Sequence, residues 1–328
     1  MATTVSVALA TRNGARFLGA QLESILDQSR PVDEIILSDD ASSDGTVELA
    51  IGLLDDRRAS GAAAPALVVL RNPAPLGVTG NFAQALLAAS GDVIALADQD
   101  DVWHPDRISR ALAALERRPA VELVAGDARL VDAEGADLHA SLFATLGVDA
   151  AVRDRLESDA ALDELLKRNL VTGATTMVTR SLVDRAAPFP ASWVHDEWLA
   201  VVAAVGGGIA VIPEPVIDYR QHGANQIGVE RLGAGGRLAR LREPRTDRNA
   251  KLLRRAIELA DRLPAIADEP SHTEAAVRGK LAHEVMRGAI PAARARRIAP
   301  VLREWRSGAY DRFGRGAQDV LRDLVQPV

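Results

Sequence analysis

The chain has 328 residues, a net charge of −6 and no cysteine, which excludes disulfide bonds, thiolate metal sites and a cysteine nucleophile. Hydrophobic residues make up 48% of the chain, enough for a sizeable core, although aromatic residues account for only 3%. The N-terminus lacks the basic and apolar regions of a signal peptide, and no apolar run approaches the ~20 residues needed to span a bilayer. We therefore expect a cytoplasmic protein.

Strands alternate with helices over the first hundred residues. Apolar runs predict strands, and apolar side chains at helical spacing predict helices between them. The predicted elements are, in order, a strand at Val5–Thr11, a helix at Phe17–Leu26, a strand at Glu34–Ser38, a helix after Gly45, a strand at Ala66–Leu70, a helix at Asn81–Ala89 and a strand at Val93–Ala97. This order predicts βαβ units and a mainly parallel sheet flanked by helices.

The second half is less regular. Leu170–Thr179 is predicted to be a strand, and Ile209–Tyr219 is predicted to form short strands interrupted by Pro213 and Pro215. Residues 1–228 hold 18 Lys and Arg against 32 Asp and Glu, whereas residues 229–328 hold 21 against 13. This asymmetry predicts a catalytic domain at 1–228 and an Arg-rich, helical C-terminal region at 229–328.

Acidic residues follow the apolar run Val93–Ala97 directly, in the string Asp98-Gln99-Asp100-Asp101-Val102-Trp103. The carboxyl end of a parallel strand is where open α/β sheets bind ligands. Closely spaced carboxylates suit a hard cation such as Mg²⁺ or Mn²⁺, which is typically held by one or two carboxylates together with phosphate oxygens. The string therefore indicates a metal–diphosphate site, and the alternative is a solvated turn with helix-capping aspartates.

Six strings in this order resemble the family-2 glycosyltransferases of the GT-A fold, in particular their bacterial rhamnosyltransferase-like branch. They are Ala10–Asn13, Ser38–Thr46, Gly77–Phe82, Ala97–Trp103, His195–Trp198 and Tyr219–Gln226. The resemblance covers about residues 3–228. It implies a metal-dependent, inverting transfer of a sugar from a nucleoside diphosphate to an acceptor hydroxyl.

The resemblance also assigns roles to residues that bind the donor. It implies that Asp98 and Asp100, with Asp101 as a further candidate, meet the metal and the donor's ribose and diphosphate. Asp39 and Asp40 would contact the nucleobase and sugar, beside Thr11 and Asn13, and Asn81 would lie near the diphosphate. A carboxylate accepts hydrogen bonds from a pyrimidine N–H or from ribose hydroxyls, which suits these assignments.

Two of the six strings, His195–Trp198 and Tyr219–Gln226, suggest the catalytic base and the groups near the leaving diphosphate. The resemblance makes Asp196 the candidate base that takes the acceptor proton, with Glu197 as the alternative and Trp198 as packing or a wall of the acceptor site. His222 would be a metal ligand or a donor to the diphosphate. Arg220 would neutralise the leaving diphosphate, since a guanidinium matches phosphate geometry.

The sequence leaves the partners less determined. The donor is expected to be dTDP-rhamnose by resemblance, or else a UDP- or GDP-sugar, and the acceptor a glycan or lipid-linked oligosaccharide of a surface polysaccharide. Arg-rich amphipathic segments of the C-terminal region suit a peripheral membrane contact, a dimer contact or a solvated face. Few aromatic residues and an acidic chain argue against nucleic acid. The rival functions are a catalytically silent nucleotide-sugar-binding scaffold and a sugar-1-phosphate nucleotidyltransferase.

Overall fold

A computed structural model describes residues 3–222, 243–267 and 271–328. The chain forms two compact units, Met1–Ser158 with Val171–Val229, and Asp159–Leu170 with Glu230–Val328. The sequence-predicted domain boundary at 228/229 and the last four residues of the Tyr219–Gln226 string lie outside the described residues.

The first unit is a mixed sheet with helices on both faces, as the sequence predicts. Its strands are β1 Val5–Thr11, β2 Glu34–Asp39, β3 Ala66–Arg71, β4 Val93–Ala97, β5 Val102–Trp103, β6 Leu123–Val131, β7 Asp137–Ser141, β8 Thr176–Thr179 and β9 Ile209–Arg220. Its helices are α1 Ala15–Leu26, α2 Thr46–Ala59, α3 Gly77–Ala88, α4 Arg107–Arg117, α5 Leu142–Leu146, α6 Ala150–Leu156, α8 Arg180–Ala186 and α9 His195–Val205.

The sheet has the strand order β3-β2-β1-β4-β8-β6-β9-β5, and β7 pairs with β6. β1 to β4 are mutually parallel, whereas β8 runs antiparallel to both β4 and β6. β1 and β4 are central strands, and nearly all of their side chains are buried. Because both faces of these strands are covered, their sequences are continuous apolar runs. The carboxyl ends of β1, β2 and β4 therefore open at one edge, where the acidic residues lie.

The predicted interruption of the strand at Pro213 and Pro215 is wrong. β9 runs unbroken from Ile209 to Arg220 and pairs in parallel with β6. The pairing shifts register on either side of Asp127, so that extra residues of β9 oppose β6 at this point. Proline is tolerated at such a bulge because its missing N–H is not needed by the ladder.

The predicted strand at Leu170–Thr179 is shorter than expected. The strand β8 begins only at Thr176, and a 3-10 turn at Gly173–Thr175 precedes it. This turn brings the backbone of Gly173 close to the start of α9, where an added Cβ would lie 2.8 Å from the His195 ring.

The second unit is helical in its described residues. Its helices are α7 Ala161–Leu165, α10 Arg245–Ile266, α11 Ser271–Gly288, α12 Arg294–Arg306, α13 Ala309–Phe313 and α14 Ala317–Val325. A small apolar cluster contains Ile290, Val301, Tyr310 and Val320. Beside it, Arg287 is buried and pairs with Asp323 at 2.7 Å. No helix among the described residues is long and apolar enough to cross a membrane.

Candidate active site

The ends of β1 and β2 are tied together by side chains that the sequence assigned to the donor. The Thr11 hydroxyl donates to Asp39 Oδ1 at 2.9 Å, and the backbone N–H of Ser42 donates to Asp39 Oδ2 at 2.9 Å. Asn81 is buried on α3, where its amide donates to the Ser38 carbonyl at 2.9 Å and accepts from the Ser38 hydroxyl at 2.6 Å. These three predicted residues lie together at the sheet edge and fix its shape.

Asp40 and Asn13 organise the loops that follow these strands. Asp40 accepts from the backbone N–H groups of Leu76 and Gly77, at 2.6 and 3.0 Å, and so holds the start of α3. Asn13 has a φ of 48°, and its side-chain oxygen accepts from the Ser43 N–H at 2.9 Å. A non-glycine residue in the left-handed region is uncommon and favours asparagine, which explains the residue type at position 13.

Gln99 joins the loop after β1 to the loop after β4, a role that the sequence reasoning missed. Its side-chain oxygen accepts from the Arg12 N–H at 2.7 Å, and its amide donates to the Arg12 carbonyl at 3.0 Å. A Cβ at position 14 would overlap this amide, so Gly14 makes room for it. Gln99 lies inside a string of acids, and its identity as the one amide there was the available signal.

The acidic loop after β4 carries more negative charge than its surroundings neutralise. Burial, followed by repulsion from Asp100 and Asp196, raises the pKa of Asp98 to about 7. Burial, followed by repulsion from Asp100 and Asp98, raises the pKa of Asp101. Asp101 Oδ1 accepts from the Arg220 backbone N–H at 3.0 Å. Among the residues that the structure describes, the buried Asp101 Oδ2 has no hydrogen-bond partner. A bound cation would relieve this repulsion.

Arg107, the first residue of α4, is a buried cation close to these acids. Its guanidinium lies 3.7 Å from the Trp103 ring centroid and donates to the Leu96 carbonyl at 2.9 Å. Burial lowers the pKa of Arg107 to about 9, although Asp101 and Asp98 act in the opposite direction. Sequence reasoning missed this residue, because nothing local distinguishes it from other arginines at the start of a helix.

The end of β9 brings Arg220 and His222 to the acidic loop. The Arg220 side chain is buried, and it donates to the carbonyl oxygens of Asp100 and Ala133, each at 2.8 Å. His222 Nε2 lies 2.7 Å from Asp100 Oδ2, and the imidazole stacks on Phe17 with ring centroids 4.8 Å apart. The structure thus places His222 beside Asp100, which the resemblance assigns to the same metal site. It holds Arg220 against the backbone of the same loop.

Asp196 lies in the first turn of α9, close enough to raise the pKa of Asp98 by charge repulsion. Asp196 is buried, and its two carboxylate oxygens accept from the backbone N–H groups of Gly173 and Glu197, at 3.0 and 2.7 Å. The Glu197 side chain is half-buried. A carboxylate at a helix N-terminus is stabilised by the helix dipole. Trp198 is fully buried, and its indole N–H donates to the Ala186 carbonyl at 2.8 Å.

The donor set at this edge fits a hard divalent cation that also contacts a diphosphate. Among the described residues, no three Asp, Glu or His side chains are arranged to hold a metal ion by themselves. Mg²⁺ and similar ions commonly use one or two carboxylates and complete their shell with phosphate oxygens and water. The surplus of charge at Asp98, Asp100 and Asp101 and the unpartnered oxygen of Asp101 fit that mode of binding.

Residues 6–146 match the family model described as Glycosyl transferase family 2. Rv1520 of Mycobacterium tuberculosis is 34% identical over 197 residues, which cover 58% of this chain and 50% of Rv1520. WfaP of Escherichia coli, named as a UDP-Glc:alpha-D-GlcNAc-diphosphoundecaprenol beta-1,3-glucosyltransferase, is 31% identical over 112 residues, which cover 34% of this chain and 41% of WfaP. The chain spans about half the length of Rv1520.

A solved structure confirms the predicted fold class. TarS of S. aureus, crystallised with UDP-GlcNAc, superposes with a TM-score of 0.58 at 13% identity, covering 97% of this chain and 89% of that one. The predicted GT-A architecture, a mixed and mainly parallel sheet flanked by helices, is therefore correct. The predicted rhamnosyltransferase-like branch stays a prediction.

Proposed function

We propose that this protein transfers a sugar from a nucleoside diphosphate to an acceptor hydroxyl in the synthesis of a cell-surface polysaccharide. The observation that carries the proposal is the meeting of the acidic loop after β4 with Asp196 at the start of α9, on the edge where β1 and β2 also end. This edge offers carboxylates for a metal-bound diphosphate and, next to them, a carboxylate that can take a proton. The match of residues 6–146 to the Glycosyl transferase family 2 model supports the same reaction class.

Asp196 is proposed to act as the base of a single displacement. The acceptor oxygen attacks the anomeric carbon while the bond from that carbon to the diphosphate breaks, and the diphosphate leaves with the bonding electrons. Asp196 takes the proton of the acceptor hydroxyl, and attack from the face opposite the leaving group inverts the anomeric carbon. The N–H groups of Gly173 and Glu197 hold the Asp196 carboxylate in place.

Asp98 and Asp100 are proposed to hold Mg²⁺ or Mn²⁺, with His222 beside Asp100. When bound, the cation would neutralise charge that develops on the departing diphosphate. Thr11, Asn13, Asp39, Asp40 and Asn81 would shape the pocket for the nucleoside. The Thr11–Asp39 hydrogen bond and the bonds of Asn13 to Ser43 and of Asn81 to Ser38 fix the shape of this edge, which suits recognition of a planar base. Arg220 would support the acidic loop from behind and add positive charge near the diphosphate.

The identities of the donor and the acceptor are proposed from the sequence resemblance and from the names of similar proteins. The Asp98–Trp103 string favours dTDP-rhamnose by resemblance, whereas TarS was crystallised with UDP-GlcNAc. The name of WfaP describes an acceptor linked to a polyprenyl diphosphate, which supports a lipid-linked oligosaccharide as the acceptor here. A silent nucleotide-sugar-binding scaffold is the alternative that an experiment must separate.

Calorimetric titration tests the donor site. We expect one of dTDP, UDP and GDP to bind at least tenfold more tightly with Mn²⁺ than without it. Asp98→Asn and Asp100→Asn should abolish that difference, and Asp55→Asn, which removes an exposed carboxylate on α2, should leave it unchanged. Nucleotide affinity that ignores both Mn²⁺ and the two loop variants would overturn the metal assignment.

A second comparison tests the base. Asp196→Asn should lower the rate of nucleoside diphosphate release from the matching sugar nucleotide at least ~100-fold with nucleotide affinity retained, because general-base catalysis contributes about that much. Glu197→Gln is the matched variant one residue away, and it should retain most of the activity. The reverse pattern would make Glu197 the base, and release that neither variant slows would exclude both. A wild-type protein that binds the nucleotide but releases no product would favour the scaffold.

A further inference from the structure

Helix α12, Arg294–Arg306, buries an arginine and leaves two large apolar side chains exposed. Arg297 and Val301 are its buried residues, with exposed fractions of 2% and 0%. In contrast, Ile298 is 52% exposed and Trp305 is 45% exposed. A helix on the surface of a globular protein normally turns its apolar stripe inward. The outward apolar stripe therefore requires an explanation.

The guanidinium of the buried arginine is hydrogen-bonded to backbone carbonyls, and these bonds stabilise the observed orientation of the helix. The Arg297 guanidinium donates to the carbonyl oxygens of Ala292 and Gln326, each at 2.6 Å, and to that of Pro291 at 3.0 Å. These bonds close off carbonyls at the start of α12 and at the end of the chain. Rotating the helix to bury Ile298 and Trp305 would break all of them and leave the carbonyls unsatisfied.

The outward face combines a continuous apolar stripe with unpaired positive charge. Ile298, Leu302 and Trp305 are spaced by four and three residues, so they lie along one side of the helix. Four exposed arginines lie on the same helix, at positions 294, 296, 303 and 306, and at about 100° per residue Arg294 and Arg306 border the stripe directly. Within the part of the chain that the structure describes, none of the four forms an ion pair. The one acid on α12, Glu304, points to the His283 imidazole at 2.7 Å.

We propose that this face of α12 docks onto an anionic phospholipid surface. An amphipathic helix binds a membrane interface by burying an apolar stripe among the headgroups while Arg side chains meet the lipid phosphates. Trp is enriched at that depth, and Trp305 lies in the stripe beside Ile298. The contact would be peripheral and would bring the enzyme to a lipid-linked acceptor; in that respect the inference rests on the proposed function.

The positive charge of this face favours a lipid surface over a second copy of the chain as its partner. A two-fold symmetric contact through α12 would place its arginines opposite the same arginines of the other copy. Without acids on the exposed face to pair them, such a contact repels itself. A surface of lipid phosphates has the opposite charge and no fixed shape to match, and so it complements the face directly.

Vesicle co-sedimentation of the full chain tests the proposal. We expect binding to vesicles of phosphatidylglycerol and phosphatidylcholine, little binding to phosphatidylcholine alone, and loss of binding as salt rises. Arg303→Glu with Arg306→Glu should weaken binding more than tenfold, as should Ile298→Ser with Trp305→Ser. Arg117→Glu and Leu87→Ser are matched controls, because they change an exposed arginine and an exposed leucine of the first unit.

Two further measurements on the same proteins distinguish failure of the docking inference from failure of the proposed function. All the variants are at exposed positions and should retain the wild-type unfolding midpoint and Mn²⁺-dependent nucleotide binding. Retained nucleotide binding without vesicle binding would overturn only the docking inference, whereas vesicle binding without nucleotide binding would overturn only the proposed function. A dimer in sedimentation equilibrium that the Ile298→Ser, Trp305→Ser variant dissociates would show that a second copy covers the face, and would also overturn the inference.

Discussion

The buried imidazole of His195 should make the first unit less stable in mild acid. His195 begins α9, stacks on Phe82 with ring centroids 4.0 Å apart, and has no hydrogen-bond partner at either ring nitrogen among the described residues. Burial lowers the pKa of His195 to about 3 from an ordinary value of 6.5. The folded state therefore keeps the ring neutral at a pH at which the unfolded chain protonates it.

The sign and size of the effect follow from that difference. Below pH 6.5 the unfolded state binds a proton that the folded state refuses, so stability falls as the pH is lowered towards 3. Each pH unit in that window costs about 1.4 kcal/mol, so the loss between pH 7 and pH 5 is about 2 kcal/mol. His195→Phe removes the titrating group while keeping an aromatic ring against Phe82. We expect it to remove this part of the pH dependence and to change stability at pH 7 by less than ~1.5 kcal/mol, because no hydrogen bond is lost.

Tryptophan fluorescence during urea unfolding can report on the first unit alone. Three of the four tryptophans, Trp103, Trp193 and Trp198, belong to that unit, and the fourth, Trp305, can be replaced by Phe in every protein compared. The matched control is His139→Asn, an exposed histidine whose φ of 51° asparagine tolerates. If His195→Phe and the wild type lose the same stability between pH 7 and pH 5, the neutral, buried state of this imidazole is refuted.

Three further substitutions test packing and charge in the first unit. Gly14→Ala should displace the Gln99 amide and weaken nucleotide binding about three- to tenfold by calorimetry, the value of one or two hydrogen bonds; an unchanged affinity would show that this amide does not shape the site. Gly126→Ala places a Cβ 2.5 Å from a methyl group of Val216 and should cost about 1–3 kcal/mol in urea unfolding, which a second change, Val216→Ala, should largely restore. Burial opposes ionisation of Asp218, but hydrogen bonds from an imidazole and a guanidinium outweigh it and lower its pKa to about 2. Its contribution is present above pH 4 and lost as the pH falls through 2, so Asp218→Asn should cost at most ~1 kcal/mol at pH 6 and nothing near pH 2; a cost that persists at pH 2 would contradict this.

The sequence predicted the first hundred residues well because the signals there are local. A central parallel strand such as β4 is a continuous apolar run, and the acids of Asp98–Asp101 follow it without a gap. The position of these acids at the carboxyl edge of the sheet therefore follows from the order of the predicted strands alone. The prediction failed at β9, where the prolines suggested breaks. Only the pairing with β6 shows that a bulge opposite Asp127 absorbs them, and that pairing joins residues far apart in the chain.

The partners of the site residues could not be predicted for the same reason. Gln99 matters because it reaches Arg12, and Arg107 matters because its helix packs beneath the acids. Both contacts join segments that only the folded sheet brings together. Asp39, likewise, could be placed at the edge from the sequence, but its hydrogen bond with Thr11 depends on the register of β1 against β2.

The charge arrangement at this edge explains why a cation should accompany the nucleotide. Burial and mutual repulsion already raise the pKa of Asp98 and Asp101, and among the described residues the guanidinium whose charge lowers both pKa values, that of Arg107, is itself buried. A nucleoside diphosphate would add negative charge to a loop that is short of positive charge. Arg220, the other buried arginine at this loop, is held against backbone carbonyls, and a further permanent cation would also hold the diphosphate after transfer. A cation that binds with the donor and leaves with the product offsets the same repulsion only while the diphosphate is present, which is the behaviour that turnover requires.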